Sequence, residues 1–174
     1  MTQKLAYAAL VLLIFFHGCM EDELLWNFHS PAYDIQTDGL FVVNEGNFMY
    51  GNASLTYYDP ETMEVYEDVF YTGNALPLGD VAHSMTIRDS LAYVVVNNSG
   101  RIYIINTSSF ELQGKITGLT SPRYMHFVSD DKAYVSDLYA RSIAVVNPQT
   151  MEVTGAISVN NHRADSYQHA TEQM

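Results

Sequence analysis

AYVVVNNSGRIYIINTSSFELQGKI at residues 92–116 and AYVSDLYARSIAVVNPQTMEVTGAI at residues 133–157 are two copies of one pattern. Tyr93 and Tyr134, Asn106 and Asn147, and Phe110 and Met151 each stand 41 residues apart. A longer copy, LFVVNEGNFMYGNASLTYYDPETMEVYEDVF, occupies residues 40–70, with Asp59 placed 47 residues before Asn106. Apolar and polar residues alternate over short runs in all three, the period of strands with one buried face. Arg101–Ile105 is nearly continuous in its apolar residues, as suits a strand packed on both faces.

The turns repeat with the strands. Asp59-Pro60-Glu61-Thr62-Met63 and Asn147-Pro148-Gln149-Thr150-Met151 are one turn written twice, and Asn106-Thr107-Ser108-Ser109-Phe110 is its proline-free form. Asp or Asn bonds its own backbone two residues on, and the following proline presets φ. A further strand precedes the second and third copies, at Ser84–Ile87 and Tyr124–Val128, with Met85 and Met125 separated by 40 residues. Four antiparallel strands in every 41 residues or so describe the blade of a β-propeller, whereas a sandwich needs no constant period. The expected fold is all-β: a partial propeller of about three four-stranded antiparallel blades over residues 39–174, the first blade lacking its inner strand. No 3.6-residue period is expected beyond the N-terminal segment. A closed ring usually takes at least about four blades. The reading therefore expects a propeller truncated at its C-terminal side, with Glu172–Met174 opening a fourth inner strand.

The N-terminal segment has another character. Lys4 precedes a twelve-residue apolar run, Leu5–Phe16, too short to anchor as a membrane-spanning helix, and His17-Gly18-Cys19 follows directly. Residues 1–18 read as a lipoprotein signal peptide and Cys19, the single cysteine, as the lipidated residue. Gly18 fits the small residue expected before such a cysteine; Phe16 and His17 depart from the usual pattern. Residues 19–38 read as an acidic tether and lead-in, with Trp26 and Phe28 expected to plug onto the folded body.

Eight Lys and Arg stand against twenty Asp and Glu, for a net charge of −12. That balance repels nucleic acid and anionic headgroups, so membrane attachment is expected through the lipid on Cys19 alone. The 48% hydrophobic and 13% aromatic content supplies one sizeable core.

GLFVVNEGNFMYGNASLTYYDP, LGDVAHSMTIRDSLAYVVVNNSGRIYIIN and ITGLTSPRYMHFVSDDKAYVSDLYARSIAVVNPQTMEVTG resemble the YncE-like seven-bladed β-propeller surface lipoproteins of Bacteroidota. The nearest branch looks like BtuG, which captures corrinoids such as vitamin B12. The resemblance covers about residues 37–160. It implies a lipid-anchored protein on the outer membrane, facing outside the cell, that delivers a bound corrinoid to a TonB-dependent transporter. The acidic Met20-Glu21-Asp22-Glu23 after Cys19 resembles the export signal of such proteins.

In a blade, the loop between second and third strands shares a face with the connection to the next blade. This places Asn44–Asn52, Phe70–Ser84, Asn97–Gly100, Gly118–Arg123, Asp137–Ala140 and Asn160–His169 on one rim, where loops on a rigid scaffold carry binding residues. The candidates there are Asn44, Asn47, Phe48, Tyr50, Asn97, Asn98, Arg123 and Tyr139. Aromatic faces and amides suit a large, partly flat polar ligand such as a corrinoid or a glycan. Arg123, behind Ser121-Pro122, is placed to meet a phosphate. The competing reading is that Asn and Gly in NEGN, YGN and NNSG serve only the turns.

No enzyme motif is present: neither Gly-x-Ser-x-Gly, nor a phosphate-cradling glycine loop, nor His-Glu-x-x-His. His83, His126 and Asp80 read as inner-strand hydrogen-bonding groups. A non-enzymatic binding role follows, with no intrinsic cofactor and a corrinoid as ligand; the alternatives are a protein- or glycan-binding surface and a degenerate fragment. The apolar run ending at Gly18-Cys19 leads us to expect fatty-acid probe labelling of the wild type in cells and none of Cys19→Ser. Equal labelling of both would refute the assignment.

Overall fold

The computed structural model describes residues 33–159. The segments read as signal peptide and tether up to residue 32, with Cys19, Trp26 and Phe28, lie outside the described residues, as do the Asn160–His169 rim loop and Glu172–Met174. Eleven strands form three antiparallel sheets among the described residues. Blade 1 holds β1 (Leu40–Asn44), β2 (Ser54–Asp59) and β3 (Glu64–Tyr66). Blade 2 holds β4 (Ala82–Arg88), β5 (Leu91–Val96), β6 (Arg101–Asn106) and β7 (Leu112–Ile116). Blade 3 holds β8 (Pro122–Ser129), β9 (Lys132–Asp137), β10 (Ser142–Asn147) and β11 (Glu152–Ser158). Strands pair in chain order from the inner edge outward, so the protein is all-β with the blade architecture of a propeller, and blade 1 begins at its second strand.

The repeat extends to irregularities. Ile104 pairs with Gly114 and Ile105 with Leu112, which leaves Gln113 unpaired. Val145 pairs with Gly155 and Val146 with Val153, which leaves Thr154 unpaired 41 residues later. A bulge at the same place in the outer strands of blades 2 and 3 adds local twist to the blade edge.

The three Asx turns have one geometry. Asp59 Oδ1 accepts the N–H groups of Glu61 (2.8 Å) and Thr62 (3.3 Å). Asn106 Oδ1 accepts those of Ser108 (2.8 Å) and Ser109 (3.0 Å), and Asn147 Oδ1 those of Gln149 (2.9 Å) and Thr150 (3.2 Å). The fifth residue of each turn is left-handed: Met63 at φ 60°, Phe110 at 57° and Met151 at 60°. That twist aims its side chain at the preceding blade. Phe110 is fully buried among Tyr33, Phe41 and Tyr57, with ring centroids 5.0, 5.6 and 5.3 Å away. Met151, half-buried, packs over Gly114 against the apolar core between blades 2 and 3, so close that a side chain at Gly114 would collide with its sulfur.

Blade 2 is therefore covered on both faces. Ala92, Val94, Val96, Tyr103 and Ile105 face blade 1, while Tyr93, Val95, Ile102, Ile104 and Ile116 face blade 3. The inner strands have no shared backbone ladder and are joined by side chains. Ser84 and Thr86 hydroxyls donate to the carbonyls of Arg123 (2.5 Å) and Met125 (3.1 Å), and Arg88 donates to the Ser129 carbonyl (3.2 Å) and pairs with Asp130.

Two features differ from the sequence reading. A short helix, α1 (Val69–Asn74), follows β3 where no helical period was expected. Its six residues are too few to display a period; it forms because Val69 and Phe70 are buried between the blades, Phe70 against Tyr103 with ring centroids 4.9 Å apart. Asn74 holds it there, donating to the carbonyls of Phe70 (2.8 Å) and Phe110 (2.9 Å) and accepting from Leu112 N–H (2.7 Å). The start of the Phe70–Ser84 segment accordingly belongs to the core beside the Phe110 turn, and the rim receives its end. Second, the lead-in is already docked by residue 33: Tyr33 packs on Phe110, and Ile35 N–H donates to the Ser108 carbonyl (3.1 Å). No helix among the described residues is long and apolar enough to cross a membrane.

Removing the Phe110 side chain leaves a void between blades 1 and 2. Phe110→Ala should lower stability by about 3–5 kcal/mol, and Phe110→Met, the residue found at the equivalent turn, by less than about 1.5 kcal/mol, in equilibrium urea unfolding. Asp59 gives a separate pH test. Burial pushes its carboxyl up, but hydrogen bonds from the Thr37 hydroxyl and the Glu61 and Thr62 amides outweigh this and hold it below the usual range. A depressed folded-state value stabilises above the unfolded value and is lost as pH falls through the folded one. Asp59→Asn keeps the turn, as Asn106 and Asn147 do, and should flatten the fall of the urea midpoint below about pH 4.

Candidate functional site

The rim is built by three loops, one from each blade. After β1 the chain reverses through left-handed Gly46, Met49 and Gly51. Asn52 Oδ1 closes the loop by accepting Asn47 N–H (2.7 Å), and Tyr50 N–H donates to the Asn47 carbonyl (3.0 Å). A side chain at Gly46 would meet the Ala53 nitrogen at 2.7 Å, so the tight return to β2 requires glycine. In blade 2 the Asn97–Gly100 turn is closed by Gly100 N–H on the Asn97 carbonyl (3.1 Å). In blade 3 buried Asp137 shapes the loop: Oδ1 accepts from Tyr139 (2.9 Å) and Ala140 (2.8 Å), and Oδ2 from Ser121 N–H (2.7 Å).

Asp80 ties the first two loops together. Its carboxylate accepts Met49 N–H (2.9 and 3.0 Å) and the Asn98 amide, while its own N–H donates to Ser99 Oγ (3.1 Å). Next to it Val81 sits at φ 63°, a left-handed conformation that costs a β-branched residue of order 1–3 kcal/mol. The surroundings hold it there: its carbonyl accepts Asn97 N–H (2.8 Å), and the side chain is buried.

Between these loops lies a cleft of about 430 Å³. Six of the eight sequence candidates line it: Asn47, Phe48, Asn97, Asn98, Arg123 and Tyr139. Asn44 does not. Its Nδ2 bonds Ser54 Oγ (3.1 Å) and Thr56 Oγ1 (3.0 Å) across the β1–β2 pair. Tyr50 stands at the tip of its loop outside the lining. Glu45, Gly46, Val81 and Leu138 complete the wall, and nothing in their residue types singled them out beforehand as ligand contacts.

The candidates differ in what they have left to offer. Asn97 is buried and its amide is committed to the Pro122 carbonyl (2.9 Å). Asn98 is exposed, with Nδ2 directed at Asp80. Phe48, Tyr50 and Tyr139 are 64%, 77% and 76% exposed, although each has a large apolar surface. Arg123 is the one basic residue in the lining, half-buried beneath them. His83 packs edge-on against Tyr124 (5.0 Å), and no group of three or more His, Cys, Asp or Glu among the described residues is arranged to hold a metal. The arrangement is one of stacking surfaces around a guanidinium and amide groups. A second cleft, of about 280 Å³, opens at the opposite end between the lead-in Ile35–Gly39 and the Thr107–Ser108 turn, lined mostly by residues that dock the lead-in.

If Asp80 is the tie between loops, Asp80→Ala should speed amide hydrogen exchange over residues 47–50 and 97–99. The blade cores, which do not depend on it, should keep their protection and the urea midpoint should barely move.

Solved structures of similar fold include hydrazine synthase of Kuenenia stuttgartiensis (17% identity over 71% of this chain, TM-score 0.50) and the dihydro-heme d1 dehydrogenase NirN in complex with DHE (12% over 70%, TM-score 0.50). Apo AztD of Citrobacter koseri matches at 20% identity over 71% of this chain with a TM-score of 0.46. The chain spans 39%, 28% and 33% of their respective lengths, and at these identities the likeness to the first two shows the fold alone. No curated protein matches the chain. Residues 38–170, three blades with the rim cleft among them, match the domain of unknown function DUF5074, and the chain belongs to that family.

Proposed function

We propose that this protein is a non-enzymatic binding lipoprotein of the cell surface, and that the rim cleft forms part of a site for a corrinoid passed to a TonB-dependent outer-membrane transporter. The observation that carries the reading is the convergence of Asn47, Phe48, Asn97, Asn98, Arg123 and Tyr139, from three different blades, on one cleft. Solvent-exposed aromatic rings have no folding role to account for them and offer flat apolar faces to a macrocycle. Exposed amides match propionamide groups, each supplying donors and an acceptor. Arg123 supplies the positive charge that the phosphate of a nucleotide loop requires. The placement in the YncE-like, corrinoid-capturing branch rests on the sequence motifs quoted above. So do the lipid anchor on Cys19, the outward-facing location and the transporter partner.

A second reading has its own observation. Met49 and Tyr50 are each 77% exposed at the loop tip beyond the cleft wall, a surface suited to a protein or glycan partner. Calorimetric titration with cyanocobalamin separates the two. Phe48→Ala and Tyr139→Ala should each weaken binding by roughly 1–3 kcal/mol, whereas Asn44→Ala, outside the cleft, should leave it unchanged. Absence of heat with cyanocobalamin, or binding indifferent to both aromatic substitutions, would transfer the assignment to the protein- or glycan-binding surface.

A further inference from the structure

Val81 holds a left-handed backbone, at φ 63°, that neither the blade nor the core requires. Ser121 stands at the same place in blade 3. Its carbonyl accepts Leu138 N–H (2.9 Å) as that of Val81 accepts Asn97 N–H (2.8 Å). The residues that follow, Ala82 and Pro122, pair with Val96 and Asp137, the last residues of β5 and β9, and each precedes an irregularity in the ladder. Ser121 makes this rung without a positive φ. The Val81 side chain is buried, yet it belongs to neither of the two apolar clusters that join the blades. Glycine would hold the same φ at no steric cost, whereas a β-branched residue is among the least suited to it.

What the left-handed turn does accomplish lies at the rim. The φ of residue 81 sets the direction from which Gly79 and Asp80 enter blade 2. Along that path the chain is stitched to both blades. The Gly79 carbonyl accepts Ala53 N–H (3.1 Å), the Asp80 carboxylate accepts Met49 N–H, and Ala82 N–H donates to the Glu45 carbonyl (3.2 Å), all in the loop of blade 1. Asp80 N–H donates to Ser99 Oγ (3.1 Å) in blade 2. In blade 3 the acid that shapes the loop, Asp137, already lies in β9, and Ser121 reaches it with an ordinary backbone (2.7 Å). The same turn brings the isopropyl group of Val81 into the lining of the rim cleft with Phe48, Asn97 and Arg123.

We propose that Val81 is a ligand-contact residue of the rim cleft, and that its strained turn also positions the Phe48 loop through Asp80. The proposal rests on the corrinoid reading of the cleft: Val81 supplies an apolar floor for the macrocycle beside the aromatic rings. Valine stands where glycine would be easier because the site uses the side chain as well as the turn.

The test compares Val81→Ala and Val81→Gly with the wild type in the full chain. At an ordinary buried strand position stability falls from Val to Ala to Gly. At φ 63° alanine keeps the steric cost and loses the packing, while glycine is relieved of the cost. The urea midpoint of Val81→Gly should therefore lie above that of Val81→Ala. Calorimetric affinity for cyanocobalamin should follow the side chain instead, falling from Val to Ala to Gly, by at least about fivefold at Gly. Amide exchange over residues 47–50 should stay slow in both variants, since both backbones can keep the turn. A purely structural role would make affinity follow the midpoint. A midpoint for Val81→Gly below that of Val81→Ala, or affinity that tracks the midpoint, would overturn the proposal. Wild-type binding that survives both substitutions would overturn the part assigned to Val81 and leave the corrinoid reading standing. A wild type that gives no heat with cyanocobalamin would remove both together.

Discussion

The left-handed residue that ends each Asx turn sets the position of one blade on the next. Placing Phe or Met at φ near 60° costs roughly 1–2 kcal/mol, and the Asp or Asn at the head of the turn offsets part of this by accepting two backbone N–H groups. Full burial of the side chain returns about 1.5–3 kcal/mol. At Phe110 burial wins, because the ring leaves its own sheet and is fully buried against blade 1; the half-buried Met151 recovers part of the cost against blade 2. At Met63 the same backbone cost is incurred with the side chain in solvent. The turn is thus a coupling element, and its balance is favourable only where a neighbour is present.

This coupling divides the labour within a blade. Outer parts of the blades meet their neighbours through the turn residue, Phe110 against Tyr33, Phe41 and Tyr57 and Met151 over Gly114. Inner strands, too far apart for a shared ladder, meet through Ser84, Thr86 and Arg88 reaching backbone carbonyls of β8. Blade 2 has a neighbouring blade on both sides, which explains why β5 and β6 are almost entirely buried while β11 is exposed along its length. The rim cleft rests on this best-supported blade. Its floor is held by Asn97 and Val81; Asp80 fastens the loop of blade 1 to it, Asn97 reaches the Pro122 carbonyl at the start of blade 3, and Asp137 shapes the loop of blade 3.

Strand order, the Asx turns and, among the described residues, a first blade that starts at its second strand were legible because strands and turns repeat together, at 40 or 41 residues between blades 2 and 3 and at 47 from the longer first unit. Chance alternation does not repeat its turn chemistry. What was illegible is non-local. Helix α1 exists because Phe70 has Tyr103 to pack on and Asn74 has the Phe110 carbonyl to bond, partners found far along the chain. Asn44 reads like the other rim asparagines, yet as the last residue of β1 it lies over Ser54 and Thr56; one position of register separates a loop residue from a strand residue facing away. Asp80 reads in sequence as an inner-strand group, and the folded chain places it just before β4, with its carboxylate accepting from Met49 and Asn98 of the rim loops.

The rim also shows why residue type ranks candidates poorly. Asparagine is prominent in binding sites and in turns for the same reason, a side chain that both donates and accepts at short reach. Once the loops form, much of that capacity is consumed. Asn97 donates to Pro122, Asn98 to Asp80, and Asn52 accepts from Asn47. The aromatic residues carry the opposite signature. Phe48, Tyr50 and Tyr139 have the most to gain from burial and remain exposed, on loops whose backbone is held by several hydrogen bonds. A rigid loop that displays a large apolar side chain keeps little conformational freedom to lose when a ligand covers it, and less ordering entropy then opposes binding. For a ligand of the proposed kind, affinity at this rim would therefore come from stacking on the aromatic rings, and the asparagines would contribute chiefly by holding the loops that carry them.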